Sequence, residues 1–447
     1  MARVLLRGNI SAHNSRDLKF HLLKCCSQRG GRRVVFRPRA ASPSSGGGTR
    51  TMGSELLSVA PMMEYTDIHF RSLARILSRR TWLYTEMVVD STIRHNPNTD
   101  RFLAFPPEQH PVACQLGGSN PENLAEAAKI VAAYGYDEIN LNCGCPSDRV
   151  AGAGCFGAKL MLTPDTVAAC MQAMGDVVDV PVTVKCRLGV DDYDSYEELC
   201  NFVKTVSETS AVGHFILHAR KCLLNGLSPH QNRTIPPLRH EWVYALKRDF
   251  PELEFSLNGG IKSLEQTRSI LDHRLDENLH VRSVMIGRAA YEKPWDILSN
   301  ADKLIFGEES NPAISRYQAL LDYAAIADSR IGSGGIDSKG KSHPSMRVLV
   351  KPALNMFHGQ KGCKKFKQAV DKHLIAGVPT VTELFEKSMA EVPEEVLHAP
   401  PLEPEEMEPF ATGGLPPPVV LRSGSDGVER LLQTDEAGPS HVEQVAA

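Results

Sequence analysis

One cysteine of this chain stands where its thiol could carry chemistry. Cys145 lies in the run NLNCGCPS (residues 140–147), in which a short apolar stretch gives way to a loop containing Gly144 and Pro146. A thiol that such a loop exposes over a pocket can act as a nucleophile or as a proton donor. Because a lone cysteine is more often a passive apolar residue, the loop position is what singles out Cys145. Cys143, which lies nearer the apolar stretch, is expected to be structural.

Two further side chains with chemical potential end neighbouring apolar runs. Lys185 closes the run PVTVK, and His218 closes the run HFILH. If these runs are adjacent strands, a cation and an imidazole face the same small volume, where they would stabilise an electron-rich heterocycle such as a reduced flavin. The alternative is that Lys185 pairs with a carboxylate in the same place.

Glycine follows two apolar runs that lie later in the chain. The first of these runs leads into Asn258-Gly259-Gly260 and the second into Gly287-Arg288. Glycine lets backbone N–H groups approach a phosphate closely, although each motif taken alone is usually only a turn. Together, after the last two strands of a barrel, they favour a phosphorylated cofactor.

Short apolar runs, which are strand candidates, alternate regularly with amphipathic helical stretches between residues 55 and 311, and these elements must position the residues named above. Helix starts are marked by Asn120-Pro121, by Thr163-Pro164 and by a capping box at Ser263. The rhythm predicts an α/β fold, a (β/α)8 TIM barrel, with an open doubly wound sheet as the alternative. In a barrel the chemistry lies at the carboxyl ends of the strands. The strand candidates are SVAPMM, WLYTEMVV, PVACQLG, YDEINLNC, PVTVKCRLG, HFILHAR, LEFSLNGG and SVMIGRAA.

The regions outside the barrel differ in composition. Residues 312–390 read as a small helical domain, which carries a lysine-rich patch between residues 339 and 372. That patch is either a nucleic-acid contact or a solvated helix face. Residues 391–447 are rich in proline and acids and are expected to be disordered.

The first 54 residues are rich in arginine and serine and nearly free of acids. This composition predicts an organelle transit peptide, for a chloroplast rather than a mitochondrion. A basic arm that stays on the chain and touches RNA is the alternative, and the protein would then be cytoplasmic.

The composition also argues against several classes of protein. No stretch of 18 apolar residues offers a membrane span, and the 11 cysteines form no paired C-x-x-C arrangement. We therefore expect neither a membrane association, nor a zinc site or other metal site, nor a disulfide framework.

Several of these segments, taken in order along the chain, resemble one enzyme family. The run SVAPMMEYTDIHFR, the QLGG after the third strand, NLNCGCPSDRV, KCRLG, HARKCLLNGLSPHQNRTIPPL, LNGGI and MIGRAAYEKPW are similar to the A-type tRNA dihydrouridine synthases, which act on D-loop positions 20 and 20a. The likeness covers about residues 56–372. It implies an FMN-binding barrel, a helical tRNA-binding domain, NADPH as reductant and a monomer.

The resemblance also implies roles for individual residues. Cys145 would be the proton donor to the uracil ring, and Asn142 would contact the flipped uridine. Further tRNA contacts would come from Arg187, His230, Arg233, Lys364 and Lys367. FMN would be held by Pro61, Met62, Met63, Gln115, Lys185, His218, Asn258, Gly259, Gly260, Gly287 and Arg288.

Some positions depart from the family pattern, and two other functions stay open. Lysines at 364, 365 and 367 stand where arginines are usual, and lysine cannot form the bidentate phosphate contact of arginine. The first alternative is an FMN barrel that reduces a small enone or pyrimidine, which would not need the basic helical domain. The second is a non-catalytic tRNA-binding factor, which would not need Cys145, Lys185 or His218.

Overall fold

The computed structural model describes residues 55–146, 156–210, 212–277, 279–335, 343–403 and 408–419, which belong to one compact unit. The predicted leader, residues 1–54, and the last part of the predicted tail, residues 420–447, lie outside the described residues. None of the described helices is long and apolar enough to cross a membrane.

Parallel strands form a closed barrel, as predicted. β1 pairs with the last strand on one side and with β2 on the other, and both β2 and β3 pair with β4. The segment WLYTEMVV therefore forms two short strands that share one position, which gives eight positions around the barrel. The strands are β1 (Leu57–Val59), β2 (Trp82–Tyr84), β3 (Val88–Val89), β4 (Val112–Gly117), β5 (Glu138–Cys143), β6 (Val182–Arg187), β7 (His214–His218), β8 (Glu254–Asn258) and β9 (Ser283–Ile286).

Helices surround the barrel, and several begin at the predicted caps. The side chain of Asn120 accepts a hydrogen bond from the backbone N–H of Asn123, and Ser263 accepts one from Gln266. The helices of this part are α1 (Ile68–Leu77), α2 (Asp90–His95), α3 (Asp100–Leu103), α4 (Pro121–Ala132), α5 (Pro164–Gly175), α6 (Tyr196–Thr209), α7 (His240–Asp249), α8 (Leu264–Asp272), α9 (Arg288–Glu292), α10 (Pro294–Leu298) and α11 (Ala301–Leu304). Short 3-10 helices lie at Pro107–Gln109, Gly157–Leu162 and Gln231–Arg233.

Apolar and polar residues alternate along the strand β5, so that its two faces differ. On β5, Ile139, Leu141 and Cys143 are fully buried in the large apolar core. Glu138 and Asn140 are also fully buried, but they bond to other polar side chains. Because successive strand residues point to opposite faces, these polar residues line the barrel interior. A small apolar cluster of Ala60, Tyr84, Ala113, Ile216 and Met285 fills part of the same interior.

The predicted helical region packs against the barrel through helix α1. Arg330 donates to the hydroxyl of Ser72 at 3.1 Å, and Lys351 donates to the carbonyl oxygen of Glu64 at 2.7 Å. The guanidinium of Arg316 lies 4.8 Å from the ring centre of the buried Trp295. The helices are α12 (Arg316–Arg330), α13 (Met346–Val350), α14 (Cys363–Ile375), α15 (Val381–Met389) and α16 (Glu394–Leu397), with a 3-10 helix at Lys351–Asn355.

The prediction of disorder from residue 391 onward was wrong for the described part of that segment. Helix α16 lies within it, and residues 408–419 return to the outside of the barrel. Phe410 packs 6.1 Å from the ring of Tyr244 and 5.4 Å from that of His273, and Arg248 donates to the carbonyl oxygen of Pro416. A few apolar residues thus order a segment whose average composition is polar and proline-rich.

Candidate functional site

The predicted site residues of four strands meet at the carboxyl end of the barrel. The strand register pairs Asn142 with Lys185, and it pairs His218 with Arg187 on one side and with Asn258 on the other. Neighbouring parallel strands therefore end at the same level, and their last inward side chains face one space.

Cys145 lies at the edge of this space, two residues beyond β5. Its side chain is half-buried, its backbone N–H donates to Oδ1 of Asn142 at 2.9 Å, and its carbonyl accepts from Ala158 at 2.9 Å. The thiol is close enough to influence the pKa values of Lys185 and Arg233. Cys143 is fully buried on the outer side of the strand, where burial raises its pKa, as expected for a structural thiol.

Lys185 and His218 face the same space, as the sequence predicted. Burial, followed by the neighbouring charge of Arg187, lowers the pKa of Lys185 to about 8. Burial, followed by the charges of Arg187 and Lys185, holds the pKa of His218 well below its usual value, so His218 is neutral. Lys185 Nζ donates to Oδ1 of Asn258 at 3.1 Å rather than to a carboxylate, and Asn258 donates to the carbonyl oxygen of Met285 at 2.7 Å.

Further cations crowd the barrel mouth. Burial and the charge of Arg288 lower the pKa values of Arg220 and Arg233. Arg288 donates at 3.5 Å to the carbonyl of Arg233, and Arg220 donates to that of Pro236. Repulsion among like charges is costly, so this arrangement favours an anionic ligand that would relieve it.

The two glycines after β8 have conformations that their positions require. Gly259 has a φ of +113°, and a Cβ there would lie 2.7 Å from Cδ2 of His218. Gly260 has a φ of +76°, and a Cβ there would lie 2.4 Å from Cδ1 of Leu238. Gly287 shows neither restriction, since its nearest neighbour would be Cβ of Ala60 at 3.9 Å. The backbone near Gly259 and Gly260 is therefore open to close approach only because side chains are absent.

The remaining predicted cofactor residues lie at the same end of the barrel, on or just after the strands β1 and β4. Residues 61–63 follow β1, and the carbonyl of Met62 accepts from the N–H groups of Tyr65 and Thr66 in a turn. Met63 is 55% exposed. Gln115 is buried on β4, where its carboxamide bonds to those of Asn140 and Asn142 at 2.8 Å.

Comparison with known proteins matches this barrel to one family. The sequence model described as dihydrouridine synthase (Dus) matches residues 58–383. The chain belongs to the dihydrouridine synthase family. A protein named tRNA-dihydrouridine(20/20a) synthase from Escherichia coli strain K12 is 54% identical over 318 residues, which cover 71% of this chain and 86% of that protein. The protein of that name from Vibrio vulnificus is 43% identical over 341 residues, which cover 76% of this chain and 98% of that protein.

Arg187, which was predicted to contact tRNA, makes several bonds within the protein. Its side chain is buried, and Nε donates to the carbonyl of Gly144 at 2.8 Å. Its Nη1 atom donates to the carbonyls of Lys221 and Asn232 at 3.0 and 2.9 Å. Through these bonds, Arg187 ties the Cys145 loop to the segment after β7.

The other predicted tRNA residues occupy two surfaces. His230 and Arg233 are exposed beside the barrel mouth, whereas Lys364 and Lys367 lie on helix α14. Lys364 is exposed, while Lys367 is half-buried and donates to Oδ1 of Asn355 at 2.8 Å. Both lysines line a shallow pocket at the start of α14, together with Gly359, Gln360, Gly362, Cys363, Lys365, Gln368 and Asp371.

Sequence reasoning missed a polar layer beneath the site. Glu138, Asn140 and Thr183 are buried in the barrel interior, and their side chains connect to Gln115 and Asn142. The signal was present in the strand EINLNC, where polar residues alternate with apolar ones although the strand is buried on both faces. A strand buried on both faces is normally apolar throughout, so this alternation indicates an interior hydrogen-bond network.

Proposed function

We propose that this chain is a tRNA-dihydrouridine synthase that reduces the C5–C6 double bond of D-loop uridines 20 and 20a, with FMN as cofactor and NADPH as reductant. The observation that carries this proposal is a half-buried thiol, Cys145, held beside a cation-rich barrel mouth. The names of the relatives support the substrate.

The charges and shape of the site fit FMN. The phosphate and the electron-rich ring of a reduced flavin are both anionic in character, and the barrel mouth offers Lys185, Arg220 and Arg288. Gly259 and Gly260 leave the backbone open for a phosphate after β8. The residues that would hold the cofactor are Pro61, Met62, Met63, Gln115, Lys185, His218, Asn258, Gly259, Gly260, Gly287 and Arg288.

In this reaction the protein supplies a proton to the uracil ring. FMN, when bound and reduced, supplies the hydride that adds to C6. Cys145 then donates its thiol proton to C5: the S–H bond breaks, a C–H bond forms, and the thiolate regains a proton from solvent. The thiol must begin protonated for this role. Asn142, whose carboxamide lies beside the thiol loop, would contact the uridine.

The target base must leave the tRNA stack to reach this pocket, so the chain must also hold the tRNA. Exposed His230 and Arg233 lie near the pocket entrance, and the lysines of α14, including Lys364 and Lys367, offer a second, more distant basic surface. Phosphate contacts of this kind position the substrate without reading its sequence. We propose that Arg187 does not contact the tRNA, because its side chain is buried and its Nε and Nη1 atoms already donate to carbonyl oxygens.

Two further proposals rest on the sequence. The basic leader would direct the protein to an organelle, a chloroplast rather than a mitochondrion, and without a transit peptide it would be cytoplasmic. The helices after residue 312 would form the tRNA-binding domain of a monomeric enzyme. Expression of the leader fused to a fluorescent protein would test the first of these proposals.

The central test measures dihydrouridine in tRNA after incubation with the full chain, FMN and NADPH. Wild type is compared with Cys145→Ala and with Cys363→Ala, which removes the other thiol that is not fully buried among the described residues. Both an unmodified transcript and tRNA with its other modifications are used. We expect dihydrouridine with wild type and Cys363→Ala, and a loss of roughly 100-fold or more with Cys145→Ala.

Two results would contradict the proposal. If the chain binds flavin and oxidises NADPH but forms no dihydrouridine on either tRNA, it is a reductase of a small enone or pyrimidine. If it binds tRNA but no flavin, the cofactor assignment fails and a non-catalytic tRNA-binding role replaces it.

A further inference from the structure

A line of side-chain hydrogen bonds runs from the Cys145 loop into the barrel. At the mouth, the backbone N–H groups of Gly144 and Cys145 donate to Oδ1 of Asn142 at 3.0 and 2.9 Å. Nδ2 of Asn142 then donates to Oε1 of Gln115 at 2.8 Å. The oxygen of the Asn142 carboxamide is thus turned towards the catalytic loop and its nitrogen towards the barrel interior.

The same line continues below the site. Nε2 of Gln115 donates to Oδ1 of Asn140 at 2.8 Å, and Nδ2 of Asn140 donates to Oγ1 of Thr183 at 2.8 Å. The hydroxyl of Thr183 donates to Oε1 of Glu138 at 2.5 Å. Four side chains therefore connect the Cys145 loop to the carboxyl group of Glu138, a residue that is 0% exposed.

Every bond in this line points the same way, and the backbone groups at the mouth fix that direction. Backbone N–H groups can only donate, so the Asn142 atom that faces them must be its oxygen. The nitrogen of Asn142 must then donate to Gln115, and the same order repeats through Asn140, so the hydroxyl of Thr183 donates to Glu138. A carboxamide in this line cannot flip without the loss of two bonds. Hydrogen bonds aligned in one direction also strengthen one another.

The carboxyl group of Glu138 is held in place from a second side. The hydroxyl of Tyr84 donates to the same Oε1 atom at 2.8 Å. The other oxygen, Oε2, has no hydrogen-bond partner among the residues that the structure describes, and it lies in a buried group with Glu55 and His214. Such a buried polar arrangement is costly, and a packed apolar interior would be cheaper for stability alone. A function for its geometry would explain why it is built this way.

We propose that Glu138 and Thr183 are positioning residues for the proton donor. They set the orientation of the Asn142 carboxamide through Asn140 and Gln115, and that carboxamide holds the backbone of the Cys145 loop. Neither residue touches substrate or cofactor directly. This inference rests on the proposed function of Cys145. In it, buried side chains inside the barrel determine how well Cys145 is placed to transfer its proton.

Thr183 offers a matched pair of variants. Thr183→Val keeps the shape but removes the hydroxyl, so Asn140 loses its acceptor and Glu138 loses one donor, whereas Thr183→Ser keeps the hydroxyl. Ser256→Ala serves as the control for a lost interior hydroxyl, because Ser256 is fully buried and bonds to Nε2 of His214 but is not part of the line. Each variant is prepared as the full chain, and its thermal midpoint is measured.

The readouts separate the two halves of the reaction. For Thr183→Val we expect kcat for dihydrouridine formation to fall about 10- to 100-fold, as for a misplaced catalytic group. NADPH oxidation by the flavin and the KM for tRNA should stay within about twofold of wild type, because neither depends on proton transfer from the loop. Thr183→Ser should recover most of the lost kcat. Ser256→Ala should keep wild-type kcat.

A second measurement does not depend on the reaction. The rate at which iodoacetamide alkylates Cys145, followed by mass spectrometry of its peptide, should change several-fold in Thr183→Val and stay at the wild-type rate in Thr183→Ser and Ser256→Ala. If wild type makes no dihydrouridine, the proposed function fails, but this rate still tests the positioning role. Wild-type kcat and alkylation in Thr183→Val would overturn the inference. Equal kcat losses in Thr183→Val and Ser256→Ala would do so too, because they would show a general effect on stability.

Discussion

Replacing Lys185 by methionine should make the cofactor-free protein more stable while it weakens flavin binding. Burial lowers the pKa of Lys185 from 10.5 to about 8. Each pKa unit corresponds to about 1.4 kcal/mol, so the charged side chain costs the folded state about 3 kcal/mol at pH 7. Lys185 is only half-buried, so water screens part of this cost. Lys185→Met also removes the bond to Asn258, worth about 1 kcal/mol. We expect a net gain of about 1 to 2 kcal/mol.

The pH dependence of this gain identifies its cause. Because the folded-state pKa of Lys185 is depressed, the wild-type protein recovers stability as the pH rises through 8 and the lysine loses its charge. The advantage of Lys185→Met should therefore shrink by about 1 kcal/mol between pH 7 and pH 9. Urea unfolding of the cofactor-free proteins at both pH values measures it, with Lys372→Met, at an exposed lysine, as the control. A variant less stable than wild type at pH 7, or a gain that is equal at both pH values, would refute the reasoning.

Two further predictions concern the glycine turn and the C-terminal segment. Gly259→Ala should weaken FMN binding, followed by flavin fluorescence, and lower the free energy of unfolding by about 1 to 3 kcal/mol, because its Cβ would strike His218 at a φ of +113°. Gly175→Ala, at a helical residue with open space around it, should leave FMN binding unchanged and should not lower the free energy of unfolding, and equal losses in both variants would contradict this explanation. Phe410→Ala should lower the free energy of unfolding by about 2 kcal/mol in urea titration, because the contacts with Tyr244 and His273 are lost. Leu402→Ala, at a side chain that is 64% exposed, is its control, and an unchanged Phe410→Ala would show that the segment adds no stability.

The sequence predicted those features that depend on local patterns. Apolar runs located every strand of the barrel, and the residues that end them identified the face on which Lys185, His218 and Asn258 meet. Helix caps are local as well, and the side chains of Asn120 and Ser263 accept the predicted cap hydrogen bonds, whereas Thr163 makes none.

The features that the sequence did not predict depend on contacts between distant residues. Arg187 ends a strand like the other site residues, but its donors bind carbonyls brought close by the segment after β7. Composition suggested disorder after residue 391, whereas the single aromatic residue Phe410 finds a partly buried place against the barrel helices. The interior line from Glu138 to Asn142 crosses from β4 to β6, and no pattern within one strand shows those partners.

The closure of the barrel has a consequence for how the protein folds during synthesis. The first strand completes its pairing only with the last, since Leu57 lies opposite Val284 and Val59 opposite Ile286. At translation rates of about 5 to 20 residues per second, an edge of β1 waits roughly 10 to 45 seconds for its partner. The segment that packs Phe410 against the barrel arrives later still. The nascent chain therefore presents an unpaired strand edge while residues 60–286 are synthesised, which is the period in which a chaperone would protect it most effectively.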